Sequence, residues 1–269
     1  MEKKKQENTP TAVPRQLALP FTYQPRFIQS EFVGAKSNAI ACTWLGIHST
    51  RITASDWPDR RLLIWGEAGT GKTHLLQIWA EKHDALLLPG TVLSQNNPMY
   101  WSQQLRNNTV KALVIDDADM VTHPQALLHV LNTTQELAMP LILSGRLPPS
   151  RWDINLADLK SRLRAIMAIK IERAEEALLR ILLLRLLAER QMVVASSVAE
   201  WLLLRLPRSA AAIREAVERL DHAALADGGG VTRELATEAL HDLLSDPSAE
   251  LCYDSKKSTV FNKDRFMLE

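Results

Sequence analysis

The sequence predicts an α/β fold: a parallel five-stranded sheet with helices on both faces, followed by a small all-α domain. Three observations predict it. Between Arg61 and Ile171, short apolar runs of strand length alternate with segments of helical spacing, the pattern of parallel strands joined by helical crossovers. The first run ends in a glycine-rich loop that opens straight into a helical segment. After Glu172 the strand signal stops, and Leu- and Arg-rich helical patterns take over. The chain has 269 residues, 46% hydrophobic and 23% charged. That excludes wholesale disorder and a fibrous repeat, and leaves room for one large or two small cores. Lys and Arg number 32 against 31 Asp and Glu, a poorer positive balance than a general electrostatic nucleic-acid binder carries. Two cysteines, Cys42 and Cys252, exclude a disulfide-stapled scaffold and favour a reducing, cytoplasmic setting. Residues 1–15 lack the apolar stretch of a signal peptide, and the run Ala177–Ala188, with Arg180 and Arg185, is too short and too charged to cross a bilayer.

The elements follow in order. Residues 1–15, with Lys3, Lys4, Lys5, Pro10 and Pro14, bury too little apolar surface to order themselves and are expected to be a disordered tail. Gln16–Phe21 is an apolar island on it, completing a segment 1–21. Ala35–Leu45, after Gly34, is predicted as a first helix. Strands are predicted at Arg61–Trp65, Ala85–Leu88, Ala112–Ile115, Leu141–Ser144 and, interrupted by Lys170, Ile166–Ile171. Lys72–Lys82 is helical, with Leu75, Leu76 and Trp79 on one face. An α/β domain over residues 22–171 therefore precedes a helical domain over 172–245. Glu175–Arg190 is its first helix, with the Leu178–Leu187 run as core face. Ser197 and Glu200 read as a capping box opening a helix to Leu206. Ser209–Ala226 is the third helix, and Thr232–Leu244, capped by Thr232, the last. Residues 246–269 are a polar extension without an assigned role. Trp65, Trp79, Trp152 and Trp201 are read as packing residues. His74, His83, His123, His129 and His222 show no zinc-ligand spacing with Cys or carboxylates.

The chemistry concentrates in three short stretches. Gly66-Glu67-Ala68-Gly69-Thr70-Gly71-Lys72-Thr73 fits G-x-x-x-x-G-K-[ST], between a predicted strand and a predicted helix. Glycines let the backbone turn its N–H groups toward phosphate oxygens, and the helix N-terminus adds partial positive charge. Lys72 reaches the β- and γ-phosphates and the Thr73 hydroxyl ligates Mg²⁺. Ala112–Ile115 ends in Asp116 and Asp117. The first acid holds Mg²⁺, directly or through water, and the second is placed to orient the attacking water. Asp where Glu is commoner, one methylene shorter, predicts slow turnover. Ser144 ends another apolar run, and two readings stand there: a polar group between the acids and the γ-phosphate, or a plain strand end.

With these parts in this order, the chain resembles the AAA+ P-loop NTPases, and within them the clade of the bacterial replication initiator DnaA. Phe32-Val33-Gly34-Ala35-Lys36-Ser37-Asn38 is similar to the box that covers the adenine, so Val33 joins the loop residues and His74 in lining bound ADP or ATP. Asp158-Leu159-Lys160-Ser161-Arg162-Leu163 is similar to the arginine-finger box, which makes Arg162 the finger, or Arg164 if the box is shifted. Ala212-Ile213-Arg214-Glu215 is similar to the second sensor, with Arg214 reaching from the lid to the γ-phosphate. The resemblance covers residues 22–245. The 25 residues after Leu244 are expected to be too few for the initiator's helix-turn-helix reading head. Gln16-Leu17-Ala18-Leu19-Pro20-Phe21 resembles the peptide that binds the bacterial sliding clamp: Leu19 and Phe21 are apolar anchors beside Leu17 and Pro20, and the Gln16 amide fixes register. The combination is similar to the DnaA-related regulators that dock on the clamp and inactivate the initiator.

That resemblance implies the β sliding clamp and DnaA as partners, DNA contacted only through the clamp, no membrane, and Arg162 acting in trans on a neighbouring subunit, whether DnaA, a second copy or both. Three rivals stand beside it: a DnaC-type helicase loader or other replication motor, a passive adaptor on the clamp, and an initiator core binding DNA directly.

Overall fold

The structure is a computed structural model and describes residues 32–47, 52–95, 99–107, 110–227 and 230–245. Strands β1 (Arg61–Trp65), β2 (Leu86–Pro89), β3 (Leu113–Asp116), β4 (Leu141–Gly145) and β5 (Met167–Lys170) form one sheet in the order β2-β3-β4-β1-β5. Every pair is parallel. The helices are α1 (Ala39–Trp44), α2 (Lys72–His83), α3 (Gly90–Leu93), α4 (Tyr100–Asn107), α5 (Pro124–Glu136) and α6 (Ala157–Ala165), then α7 (Glu176–Glu189), α8 (Ser196–Arg205), α9 (Ala210–Asp227), α10 (Arg233–Ala239) and α11 (His241–Ser245). This is the predicted class: a parallel sheet between two helical layers, then an all-α lid.

The central strands are buried on both faces, which is why they read as unbroken apolar runs. Alternate residues serve different cores. Leu63, Leu113, Ile115, Leu141 and Leu143 pack with Leu127, Leu131 and Leu163 of α5 and α6. Leu62, Ile64, Val114 and Ile142 pack on the other face with Leu75, Leu76 and Trp79 of α2. The lid has its own core, built around Leu183, Leu202, Val217 and Leu220.

Boundaries differ in instructive ways. Lys170 does not interrupt β5, because β5 is an edge strand with only alternate residues packed, and Lys170 points outward beside Glu172. The first helix begins as a 3₁₀ turn, Lys36–Asn38, before α1. The predicted capping box at Ser197 and Glu200 does not form. The N-cap of α8 is Ala195 in extended conformation, so Ser197 lies inside the helix, and the Glu200 carboxylate is taken by Arg180 of α7. Thr232 does cap α10, accepting from Leu235 N at 3.2 Å. The last predicted helix is broken at Leu240 (φ −116°, ψ 16°) into α10 and α11. In α7, Leu179, Leu182, Leu183, Leu186 and Leu187 are buried, while Leu184 of the expected core run faces outward. Trp79 and Trp152 are buried. Trp65 lies beneath Lys170, and Trp201 beneath Arg205 and Arg233.

Candidate nucleotide-binding site

Strand β1 delivers the chain to Gly66 at the C-terminal edge of the sheet, where ligands of parallel α/β sheets bind. A Cβ on Gly66 would run into the carbonyl oxygen of Ile171. Gly69 and Gly71 take φ values of 78° and 94°, which cost little only without a side chain. Gly71 is the N-cap of α2, a 12-residue helix, so the free N–H groups of its first turn face the loop.

Lys72, 6% exposed, donates from Nζ to the carbonyls of Gly66 (2.7 Å) and Glu67 (2.9 Å). Burial pulls its pKa below the ordinary lysine value, while Asp117, Asp116 and Asp119 hold it up. The Thr73 hydroxyl donates to Asp116 Oδ2 at 2.7 Å. The other oxygen of Asp116 accepts from the Ser144 hydroxyl, and Ser144 Oγ in turn accepts from the Asp117 backbone N–H at 2.8 Å. Ser144 of β4 thus links the Asp116 carboxylate to the Asp117 backbone. Asp117 sits at φ 50°, and burial, reinforced by Asp116 and opposed by Lys72, raises its pKa.

The donor set fits a polyphosphate with a divalent cation. A buried ammonium, a helix N-terminus and left-handed glycines suit the anion. A hydroxyl and a carboxylate oxygen within 2.7 Å suit a hard cation that prefers oxygen ligands.

The remaining predicted residues divide between this cluster and elsewhere. Thr70 Oγ1 donates to Glu67 O at 2.9 Å, which braces the loop around Ala68. The Glu67 carboxylate pairs with Arg173 at 2.5 Å, both exposed. Val33 is half-buried and accepts from the Asn38 amide at 3.2 Å. Its segment is tied to the lid by Ser37 N–H, which donates to Glu175 at 3.1 Å. Arg214 reaches from α9 to His74 of α2, with Nη2 and Nδ1 2.7 Å apart. Arg162 stands apart from the cluster. It pairs with Asp158 at 3.0 Å and meets Gln135 at 3.4 Å, and Gln135 also accepts from Arg61, the first residue of β1. All of β1, roughly 15 Å at strand rise, separates that end from the P-loop. Arg164 is exposed on the same helix. Gln16, Leu17, Leu19, Pro20 and Phe21 lie outside the described residues.

Sequence reasoning missed the lid's grip on the loop. Ser209, just before α9, packs on Gly69, where a Cβ would meet its Cβ at 2.8 Å. It also missed Arg146 after β4, whose charge acts on both Lys72 and Asp117 and whose N–H donates to Asp119 at 2.7 Å. Its position one residue past the strand end that carries Ser144 was the available signal.

No protein-family model matches the chain. The chain is 25% identical over 249 residues to the chromosomal replication initiator protein DnaA of Mycobacteroides abscessus, over 83% of this chain and 48% of that protein. It thus spans about half the length of that relative. Domain III of Thermotoga maritima DnaA superposes with a TM-score of 0.68 at 19% identity, covering 83% of this chain and 99% of that one. AMPPCP-bound DnaA from Aquifex aeolicus superposes at 0.60 with 20% identity, over 72% and 65% of the two chains. A Thermotoga maritima RuvB variant superposes at 0.61 with 16% identity, over 82% and 73%. No described helix is long and apolar enough to cross a membrane. In sequence this chain is similar to DnaA, and its fold is that of DnaA domain III.

Proposed function

We propose that this chain is a regulator of the replication initiator, of the kind that Hda represents. It docks on the DNA-loaded sliding clamp through Gln16, Leu17, Leu19, Pro20 and Phe21, and it presents Arg162 to ATP held by DnaA. Hydrolysis leaves DnaA with ADP and blocks a second firing of the origin. The observation that carries the reading is where Arg162 stands: half-exposed, and a full strand length away from the chain's own P-loop. An arginine there cannot serve its own nucleotide. Presented to a neighbour, it stabilises the charge on a transferring phosphoryl group, an effect on the order of 10³–10⁵ in rate where a finger acts in trans.

The chain's own ADP or ATP is structural in this reading. Lys72 and the loop N–H groups bind its phosphates, Thr73 and Asp116 hold Mg²⁺, and Val33 covers the base. A Mg²⁺ bound there supplies positive charge against the phosphates. Ser144 fixes Asp116 and the Asp117 backbone in one geometry, and Asp117 orients water for a slow turnover of the chain's own.

The test is hydrolysis of ATP pre-bound to DnaA, with this protein and clamp loaded on DNA. We expect stimulation that needs clamp and DNA and that falls at least 100-fold with Arg162→Ala. Gln16→Ala should abolish it through lost docking. Hydrolysis no faster than with DnaA alone would sink the reading. The complete cluster of Lys72, Thr73, Asp116, Asp117 and Ser144 supports a second reading, a replication motor or helicase loader. That one requires steady ATP turnover by the purified protein, alone or with single-stranded DNA.

A further inference from the structure

The bond between Arg214 and His74 joins the lid to the first turn of α2, one residue beyond the hydroxyl of Thr73. Arg214 keeps its proton under all ordinary conditions, so His74 Nδ1 must be the acceptor and its proton must sit on Nε2. His74 is 8% exposed. The ring of Phe32 stands edge-on to it, with centroids 5.3 Å apart. A second contact sits beside it, where Ser209 closes on Gly69 at the head of α9. The lid arginine thus meets the first turn of α2 with one nitrogen already committed to a fixed, buried acceptor, which restricts how the rest of its planar fork can turn.

We infer that His74 is a positioning residue for Arg214, holding the lid guanidinium in the orientation in which it meets the terminal phosphate of a nucleoside triphosphate. This rests on the reading of the chain's own site as a nucleotide site and of Arg214 as the lid residue that the resemblance sets against the γ-phosphate, but it does not depend on DnaA or the clamp. A histidine placed only to fill space would affect all nucleotides alike. A histidine that aims Arg214 affects the triphosphate more than the diphosphate, because only the triphosphate presents the group the arginine meets.

The experiment measures the affinity of the full chain for a fluorescent, non-hydrolysable ATP analogue and for fluorescent ADP. It uses wild type, His74→Ala, His74→Asn, Arg214→Ala and the double alanine variant, each checked for a cooperative thermal unfolding transition. The Asn amide oxygen stands where Nδ1 accepts. The expected result is about a 10-fold loss of triphosphate affinity in His74→Ala, with ADP changed less than 3-fold, recovery in His74→Asn, and a double variant no weaker than Arg214→Ala, as coupled residues require. Equal losses for both nucleotides, no recovery with Asn, or additive effects would overturn the inference. So would an Arg214→Ala variant that binds the triphosphate normally. If the clamp-dependent assay fails while this pattern appears, only the DnaA-directed reading falls; the reverse outcome removes only the role of His74.

Discussion

Among single residues, His74 makes the sharpest claim about pH. Its pKa drops from 6.5 in the unfolded chain to about 3 in the folded one. Above pH 6.5 both states hold it neutral and nothing is lost. As pH falls below 6.5, the unfolded state takes up a proton that the folded state refuses. Stability then declines by about 1.4 kcal/mol per pH unit until the folded pKa is reached. Asp117 works in the opposite direction: its pKa is raised on folding, so the folded state binds that proton first and regains stability as pH falls. Urea unfolding at pH 7.5, 6 and 5 should show wild type losing about 2 kcal/mol between pH 7.5 and 5 through His74, and His74→Asn losing less. Parallel slopes for the two proteins would contradict the assignment. The loop and its neighbouring acid were legible as a candidate site because the parts are local: Gly66 to Thr73 are contiguous and Asp116 ends an apolar run, whereas Ser144, at the end of another, left two readings open. The Arg214 to His74 bond was not, because the partners are 140 residues apart, and each reads in the sequence as facing the nucleotide rather than the other. The clamp peptide remains a sequence reading alone.

At the level of elements, two hydroxyls test the distinction between a cap and a look-alike. Thr232 accepts from Leu235 N, whereas Ser197 is an exposed residue inside α8 with Ala195 as the real N-cap. Thr232→Ala should cost about 1 kcal/mol, and Ser197→Ala should change stability by less than about 0.5 kcal/mol. Chemical denaturation of both variants checks this, and equal costs would contradict the boundary of α8. The capping signal misled because Ser197 and Glu200 have the right spacing, yet Arg180 across the helix interface claims the glutamate. The three inner strands, β1, β3 and β4, announced themselves through burial on both faces. Strand β5 was harder to read because half of an edge strand faces solvent and tolerates Lys170.

Across the whole molecule, the phosphate loop is touched by the lid through Ser209 on Gly69, while Arg214 meets His74 in the first turn of α2. A nucleotide bound as proposed would bridge both domains and stabilise them together. At 100 times its dissociation constant it should add about 2.7 kcal/mol, seen as a thermal midpoint raised by roughly 5–10 °C in a chain of this size. Lys72→Ala should abolish the shift while leaving the nucleotide-free midpoint within a few degrees; an undiminished shift would remove Lys72 from the site. The sheet itself carries one more consequence. Among the described residues its order leaves β5 with one side unpaired, and a bare edge is a template on which a second chain can add a strand. Lys170 lies on that edge, with its ammonium over the Trp65 ring at 5.6 Å. An incoming strand would have to strip water from that charge, so the lysine that blurred the strand in the sequence guards the folded chain against edge-to-edge aggregation.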